Sequence, residues 1–314
     1  MLRPFRIHQP ATVDDTVQLL GQFGEEATVY AGGTELLLAM KEGLLSYAHL
    51  LDVKNVDGLG QISYNSSEQS LRIGSVVTHR SLETSAEVLR EFPLIAEVEK
   101  TVANVRVRNV GTLGGNLCFA EPHSDPAALL LLYDAQVESK GSRGSRIFPL
   151  EELTLGPYET CLDEDEVLVG VVVPQLPAGM TGTYLKFGYH ARPTLGLGVA
   201  LRLDRAPGAG SDGFQELQSS SIQEVRVSVG SVGPKAVRAR DAEEALQGKT
   251  VGELLGSLNS TGGAGARLLD EAGQLAAQEA DPMDDMHGSA EYKAHLVQVF
   301  LRRGLIKALG LGQG

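Results

Sequence analysis

Tryptophan is absent from this sequence of 314 residues, and aromatic residues make up 5% of it. Surfaces that stack carbohydrates or single-stranded nucleic acids are built from aromatic side chains. Positive charge is also scarce, since 27 lysines and arginines face 40 acidic residues and leave a net charge of −13. General nucleic-acid binders carry a basic footprint instead. The composition therefore argues against a carbohydrate-binding or nucleic-acid-binding protein.

Cysteine is nearly absent as well, because the sequence contains two, Cys118 and Cys161. An iron–sulfur cluster needs about four thiolates, and a structural zinc ion needs about four cysteine or histidine ligands. No cysteine–histidine cluster accompanies these two residues. We therefore expect no metal site and no disulfide framework in this chain. Both thiols are expected to be buried and reduced.

Long apolar runs are missing too. The longest cover residues 127–133 and 167–174, far short of the roughly 20 residues that span a bilayer. Residues 1–10 are mixed and polar and do not form the apolar segment of a signal peptide. The sequence thus predicts a cytoplasmic protein with no membrane span.

The chain is long enough for two or three domains of roughly 100–200 residues each. Residues 1–57 follow the order helix, strand, glycine turn, helix, strand, which is typical of an α/β unit. Residues 58–178 mix strands and helices, including a helical stretch at 92–104 and a buried strand at 167–173. Residues 179–314, after a linker at 175–182, are predicted to form an α+β domain.

That last domain is expected to begin with strands and to end with helices. The strands are predicted at 183–188, 196–203 and 223–231. A glycine- and serine-rich loop is expected at 206–221, and the first helix at 237–246.

Two glycine-rich segments are candidate ligand-binding loops. In residues 31–35 a predicted strand runs into Gly32 and Gly33 and then into a helix. Glycines permit positive φ and close approach of the backbone to a ligand, and free amides after such a turn can bind a diphosphate. The segment matches neither the GxGxxG fingerprint nor the P-loop. Taken alone, an ordinary strand-to-helix turn stays open and is the simpler interpretation.

The second segment, residues 109–116, places Gly111, Gly114 and Gly115 within five residues, with Thr112 and Asn116 beside them. A run of backbone amides in such a bend can form an anion-binding nest. A plain irregular loop is the alternative.

Residues 120–125 form a third candidate segment. Asp125 is either a functional carboxylate or the N-cap of the helix that follows, and His123 is expected to be a solvated loop residue. The acidic run at 163–166 is expected to be a solvated turn. Because no nucleophile arrangement, paired carboxylates or metal-ligand spacing is present, we predict no catalytic residue, and the chemistry must come from a cofactor.

The order and separation of these segments resemble those of a known protein family. The segments that carry the resemblance are FRIHQPATVDDTVQLL (5–20), AGGTELL (31–37), IGSVVTH (73–79), FPLIAE (92–97), RNVGTLGGNLCFAEPHSDPAALLL (108–131) and HGSAEYKAHLVQVFLRRGL (287–305). Together they resemble the FAD-binding medium subunits of molybdenum hydroxylases. This family includes the flavoprotein subunits of carbon monoxide, nicotinate and xanthine dehydrogenases and of 4-hydroxybenzoyl-CoA reductase.

The resemblance implies an α+β fold with three parts. Two α/β subdomains of the vanillyl-alcohol-oxidase (PCMH) type, 1–57 and 58–178, would hold a non-covalent FAD between them. A C-terminal α+β subdomain, 179–314, would carry an antiparallel sheet and helices.

The resemblance also implies which residues bind FAD. One loop would wrap the diphosphate and adenosine end, and its residues are Val29, Tyr30, Ala31, Gly32, Gly33, Thr34, Glu35 and Leu36. The second loop would bind the diphosphate and ribityl region with Thr112, Leu113, Gly114, Gly115 and Asn116. The remaining contacts would be Val102 and Ala103 near the adenine, Asp125 at the ribityl hydroxyls, and Leu168 and Lys186 close to the flavin.

The sequence departs from the family pattern after the linker. Lys186 is present, but His190 and Thr194 occupy places where the family often has arginine and aspartate. We expect Tyr184 or Tyr189 to flank the isoalloxazine ring. The cysteine-rich insertion of the 4-hydroxybenzoyl-CoA reductase type is absent from the sequence, so that specialisation is not supported.

The implied activity is electron transfer within a complex, as an oxidoreductase subunit. A large partner would carry the molybdopterin cofactor and a small partner the [2Fe-2S] clusters, in a dimer of heterotrimers. FAD on this chain would pass electrons to NAD or a quinone. The alternatives are a self-sufficient FAD-dependent oxidase or dehydrogenase of the vanillyl-alcohol-oxidase fold, and an assembly subunit that has lost its flavin.

Overall fold

The structure is a computed structural model that describes residues 2–188, 192–205, 213–259 and 264–311. The chain folds into two compact units. The first comprises Met1–Glu121 and Tyr133–Gln175, and the second comprises Pro122–Leu132 and Leu176–Gly314.

The first unit contains ten strands and seven α-helices among the described residues. The strands are β1 (Arg6–His8), β2 (Ala27–Tyr30), β3 (His49–Asp52), β4 (Ile62–Asn65), β5 (Ser70–Gly74), β6 (Gln136–Gly141), β7 (Gly144–Pro149), β8 (Thr154–Gly156), β9 (Glu159–Thr160) and β10 (Val167–Pro174). The helices are α1 (Val13–Phe23), α2 (Leu36–Lys41), α3 (His79–Thr84), α4 (Ala86–Glu91), α5 (Pro93–Glu99), α6 (Val105–Arg108) and α7 (Leu113–Phe119).

A small parallel sheet of order β1-β3-β2 opens the first unit. Helix α1 begins at a capping box, in which Thr12 Oγ1 accepts from the Asp15 amide and the Asp15 carboxylate accepts from the Thr12 amide. The apolar residues Val17 and Leu20 of α1 pack with Leu51 of β3. The α/β character predicted for residues 1–57 is present in this sheet and its helices.

A five-stranded antiparallel sheet of order β4-β5-β10-β6-β7 forms the larger part of the first unit. Its central strand β10 is buried along most of its length, as the apolar run at 167–173 predicts. The register between β10 and β6 shifts between Leu168 and Gly170. Strands β6 and β7 were not predicted from the sequence, because their residues are largely polar and show little alternation of apolar and polar residues.

The second unit contains a four-stranded antiparallel sheet of order β11-β12-β13-β14. Its strands are β11 (Thr181–Phe187), β12 (Leu195–Leu203), β13 (Ile222–Gly230) and β14 (Val237–Arg238). Its helices are α8 (Asp125–Leu131), α9 (Gly213–Ser219), α10 (Arg240–Leu246), α11 (Val251–Asn259), α12 (Ala264–Ala280) and α13 (Ala290–Ala308).

Apolar side chains from the sheet and the helices share one core in the second unit. Leu197 and Val199 of β12 belong to the same buried cluster as Val297 and Leu301 of α13. The prediction of a C-terminal α+β fold with an antiparallel sheet is confirmed.

Three local predictions were wrong. The apolar stretch at 92–104 ends as a helix at Glu99, and the predicted helix at 237–246 begins with strand β14. The expected loop at 206–221 contains helix α9, while its residues 206–212 lie outside the described residues. These differences involve elements of only two to seven residues. A hydrophobic pattern read over ten or more residues does not detect elements this short.

Helix α8 belongs to the second unit although its sequence lies within the first. The carbonyl groups at its C-terminal end accept hydrogen bonds from two arginines of the second unit. Arg238 Nη1 donates to Leu131 O at 3.1 Å, and Arg226 Nη1 donates to Leu132 O at 2.9 Å. Each unit therefore combines segments that are not adjacent in the sequence. The division of the chain at residues 57 and 178 stays a prediction.

Candidate cofactor-binding site

The first glycine loop connects β2 to α2, and the predicted site residues from Val29 to Leu36 are all half-buried. Gly33 has φ of +67°, a conformation that favours glycine. In the described part of the chain, the backbone amides of Gly32, Gly33 and Thr34 donate to no protein acceptor. A ligand with several anionic oxygens can satisfy such a run of amides.

The second glycine loop leads into α7, and Thr112 is its N-cap. Thr112 Oγ1 accepts a hydrogen bond from the Gly115 amide at 3.1 Å, and the Asn116 amide donates to Thr112 O at 2.9 Å. The Leu113 amide donates to Val77 O and the Gly114 amide to Ser75 O, both at 2.9 Å. The interpretation of this loop as an open amide nest is therefore wrong for residues 113–116, whose amides are used inside the protein.

The two glycine loops lie against each other within the first unit. A Cβ on Gly32 would lie 2.1 Å from Val110 O, which leaves no room for any side chain. A Cβ on Gly111 would lie 3.5 Å from Thr34 Oγ1. Glycine at position 32 is therefore required by the close approach of the two backbones.

Gly114 is fixed by a second close approach, toward Ser75 at the end of β5. A Cβ on Gly114 would lie 2.6 Å from both the Cβ and the O of Ser75. The Ser75 amide in turn donates to Val169 O, next to the buried Leu168. The structure thus connects the second loop with the strand that carries Leu168.

Val102 and Ala103 form a turn between α5 and α6. The side chain of Val102 is buried, and Ala103 is exposed and has φ of +44°, which is unusual for a residue with a side chain. Arg108 Nη1 donates to Val102 O at 3.0 Å. Its Nε donates to Glu83 Oε2, also at 3.0 Å.

Asp125 and Lys186 come together in the second unit. Lys186 Nζ lies 2.5 Å from Asp125 Oδ2, and the phenol of Tyr184 donates to Asp125 Oδ1 at 3.1 Å. The N-cap of α8 is Ser124, so the interpretation of Asp125 as that cap is wrong. Burial and then the neighbouring carboxylate raise the pKa of Tyr184 well above its usual value. Tyr184 therefore stays protonated and donates to Asp125.

Other residues singled out in the sequence have partners that the patterns did not reveal. His123 Nε2 donates to Asp285 Oδ2 at 2.9 Å and its side chain is 15% exposed, so it is not a solvated loop residue. Thr194 is buried. Tyr189 and His190 lie outside the described residues.

Two further expectations were wrong. Cys118 is exposed and Cys161 is half-buried, rather than both buried. In the acidic run, Glu166 is buried and receives two hydrogen bonds of 2.7 Å from Arg146. The arginine lies 20 residues before its partner, a separation that no local pattern indicates.

A buried histidine–glutamate pair beside the second loop was not predicted from the sequence. His79 Nδ1 lies 2.7 Å from Glu99 Oε2, and the His79 amide donates to Gly111 O at 3.0 Å. A signal was present, because His79 and Glu83 are four residues apart and share a helix face. Their partners, Glu99 and Arg108, follow at 20 and 25 residues.

Within the described ranges, none of the helices combines the length and the apolar character that a membrane crossing requires.

The sequence matches two known protein families and several characterised relatives. Residues 3–176 match the family described as the FAD binding domain in molybdopterin dehydrogenase, and residues 263–308 match the CO dehydrogenase flavoprotein C-terminal domain. The nicotine 6-hydroxylase medium subunit of Paenarthrobacter nicotinovorans is 31% identical over 98% of both chains. The carbon monoxide dehydrogenase medium chain of Hydrogenophaga pseudoflava is 29% identical over 96% of both.

Solved structures give the same result. Carbon monoxide dehydrogenase from Hydrogenophaga pseudoflava, in a form lacking the Mo-pyranopterin moiety, superposes with a TM-score of 0.85 at 30% identity and covers 100% of both chains. Quinoline 2-oxidoreductase from Pseudomonas putida 86 superposes with a TM-score of 0.83 at 26% identity, over 99% of both chains. The motif resemblance is confirmed, and the chain belongs to the family of FAD-binding medium subunits of molybdenum hydroxylases.

Proposed function

We propose that this chain holds FAD with its two glycine loops and transfers electrons from the iron–sulfur clusters of a partner subunit to an external acceptor. One observation carries the proposal: the amides of Gly32, Gly33 and Thr34 have no protein acceptor in the described part of the chain. They lie where the backbone of Gly32 meets the second loop.

FAD fits these residues chemically. Its diphosphate presents anionic oxygens, which suit consecutive amide donors. The amides of residues 113–116 bind acceptors inside the protein, so the first loop supplies the available amide donors and the second loop lies against it. The residues Val102, Ala103, Asp125, Leu168 and Lys186 remain proposed contacts to the rest of the cofactor.

The residues of the chain bind and orient the cofactor, and FAD supplies the redox chemistry when bound. The relatives named as medium chains of carbon monoxide dehydrogenase support a place in a complex with a large molybdopterin-binding subunit and a small iron–sulfur subunit. We propose a dimer of such heterotrimers, located in the cytoplasm, with NAD or a quinone as the acceptor.

Binding of FAD to the full chain tests the site. The purified wild-type chain should bind one FAD, measured by flavin absorbance and by quenching of flavin fluorescence. Gly32→Ala should abolish binding, because its Cβ would lie 2.1 Å from Val110 O. Gly21→Ala is the matched control, since a Cβ there meets nothing within 4 Å.

Circular dichroism would show whether the Gly32→Ala chain is folded. A folded wild-type chain without affinity for FAD would overturn the proposal. Co-purification with subunits that contain molybdenum and iron would support the role in a complex. Reduction of the isolated flavin-loaded chain by a simple alcohol or hydroxy acid would favour a self-sufficient oxidase instead.

A further inference from the structure

Arg108 connects helix α3 with the turn between α5 and α6 in the first unit. Its Nε donates to Glu83 Oε2 of α3 at 3.0 Å, and its Nη1 donates to Val102 O at 3.0 Å. A weaker contact of 3.5 Å reaches Ala103 O. One guanidinium group thus holds the carbonyl side of the turn between α5 and α6.

This turn needs such support. Ala103 has φ of +44°, and a non-glycine residue in that region is held there by its surroundings. Asn104 Oδ1 accepts from the amides of Arg106 and Val107, which fixes the residue that follows. The Val102 amide donates to Glu99 O at 3.2 Å. Arg108 supplies the hydrogen bond to the carbonyl group of Val102.

Glu83 is well placed to orient Arg108. The side chains of Glu83 and Arg108 are 11% and 12% exposed, so their contact is shielded from solvent. Arg80 Nη1 also lies 2.7 Å from Glu83 Oε1, but its side chain is 45% exposed. Burial raises the pKa of Glu83, and the hydrogen bonds from Arg80 and Arg108 outweigh this effect and lower it below its usual value. Glu83 is therefore an anion at neutral pH.

We propose that Arg108, oriented by Glu83, is a positioning residue that fixes the Val102–Ala103 turn for recognition of the adenosine half of FAD. The inference rests on the proposed function. A guanidinium can bind a carboxylate and a carbonyl at the same time because its donors point in fixed directions. Without Arg108, the turn would leave the conformation that exposes Ala103 toward a ligand.

The test compares Arg108→Gln with Arg80→Gln in the full-length chain. Both substitutions remove one positive charge beside Glu83, but Arg80 contacts neither carbonyl of the turn within the described ranges. Dissociation constants are measured for FAD, for FMN, which lacks the adenosine half, and for ADP, which carries it. Removing a charged hydrogen bond of this kind should weaken FAD and ADP by roughly tenfold or more.

Arg108→Gln is expected to change FMN affinity less than about twofold, and Arg80→Gln should leave all three constants near wild type. Glu83→Gln should reproduce the selective loss more weakly and serves as the second variant if Arg108→Gln does not fold. A loss of FMN affinity equal to that of FAD would indicate a merely structural role and overturn the inference, as would unchanged FAD or ADP binding. A wild-type chain that binds no FAD would instead overturn the proposed function.

Discussion

The ammonium group of Lys186 lies 2.5 Å from Asp125 Oδ2, and each side chain is 3% exposed. The two charges therefore neutralise each other away from water, and the phenol of Tyr184 fills part of the remaining hydrogen-bonding capacity of the carboxylate. A charge left alone in such a place is costly, because neither solvent nor a partner compensates it.

Lys186→Met should destabilise the chain by about 3–5 kcal/mol, because it removes the cation that compensates the buried Asp125 carboxylate. Urea unfolding at pH 7, followed by far-ultraviolet circular dichroism, measures this loss. Lys140→Met is the control, since Lys140 pairs with an Asp14 side chain that is 75% exposed. That control should cost about 1 kcal/mol or less. Equal losses for the two variants would contradict the assignment of a buried pair.

Thr112→Val should cost about 1 kcal/mol of stability, because it removes the N-cap of α7. It should also weaken FAD binding, since Thr112 is a predicted contact and holds the Gly115 amide. Thr12→Val removes an equivalent cap from α1 and provides the control. Thermal unfolding and fluorescence titration with FAD are measured for both variants. If Thr12→Val weakened FAD binding as much, the effect of Thr112 would be one of general stability.

Gly114→Ala should destabilise the chain by about 1–3 kcal/mol, as overpacking does in closely packed regions. The reason is that its Cβ would lie 2.6 Å from Ser75. FAD affinity should fall with it, because relieving the contact displaces the second loop from β5. Urea unfolding and FAD titration check both effects, with Gly21→Ala as the unhindered reference. Wild-type behaviour in both assays would show that the loop does not need this approach.

Glu166 should make the stability of the chain depend on pH in the acid range. Burial raises its pKa, but the hydrogen bonds from Arg146 and Ser139 outweigh this and lower it to about 2, from an ordinary value of 4.5. A depressed folded-state pKa means that the stabilisation is fully present above about pH 4.5 and is lost as the pH falls toward 2.

The stability difference between wild type and Glu166→Gln should therefore be largest at neutral pH and shrink below pH 4.5. Urea unfolding at a series of pH values measures it. Glu164→Gln, at an exposed position of the same acidic run, should follow the wild type throughout. A difference that stays constant down to the lowest pH would show that Glu166 is stabilising through its shape and not its charge.

The sequence predicted those helices and strands whose own residues show a capping motif or a regular apolar pattern. The helix at Val13–Phe23 has a capping box and a periodic apolar face, and the strand at Val167–Pro174 is a continuous apolar run. By contrast, two strands of the same sheet, Gln136–Gly141 and Gly144–Pro149, are largely polar. The second of them is mostly exposed to solvent. A strand whose stability comes from its neighbours leaves little trace in its own residues.

The candidate site could likewise be predicted only in part from the sequence. The glycines of both loops could be found because close backbone contact restricts the residue type, as Gly32 against Val110 illustrates. Which amides remain available could not be predicted, since it depends on carbonyl groups such as those of Ser75 and Val77, more than 30 residues away. The partners of His123 and Arg108 are likewise fixed by tertiary contacts.

The assignment of helix α8 to the second unit has a consequence for biosynthesis. Strand β12, which packs against α8, begins at Leu195, 64 residues after α8 ends at Leu131. At about 5–20 residues per second, a ribosome needs roughly 3–13 seconds to deliver that stretch. Leu129, Leu130 and Leu131, which are buried in the folded chain, are therefore synthesised before the strand that α8 packs against. We therefore expect this apolar helix to stay exposed on the nascent chain for several seconds, and a chaperone would be most useful during that interval.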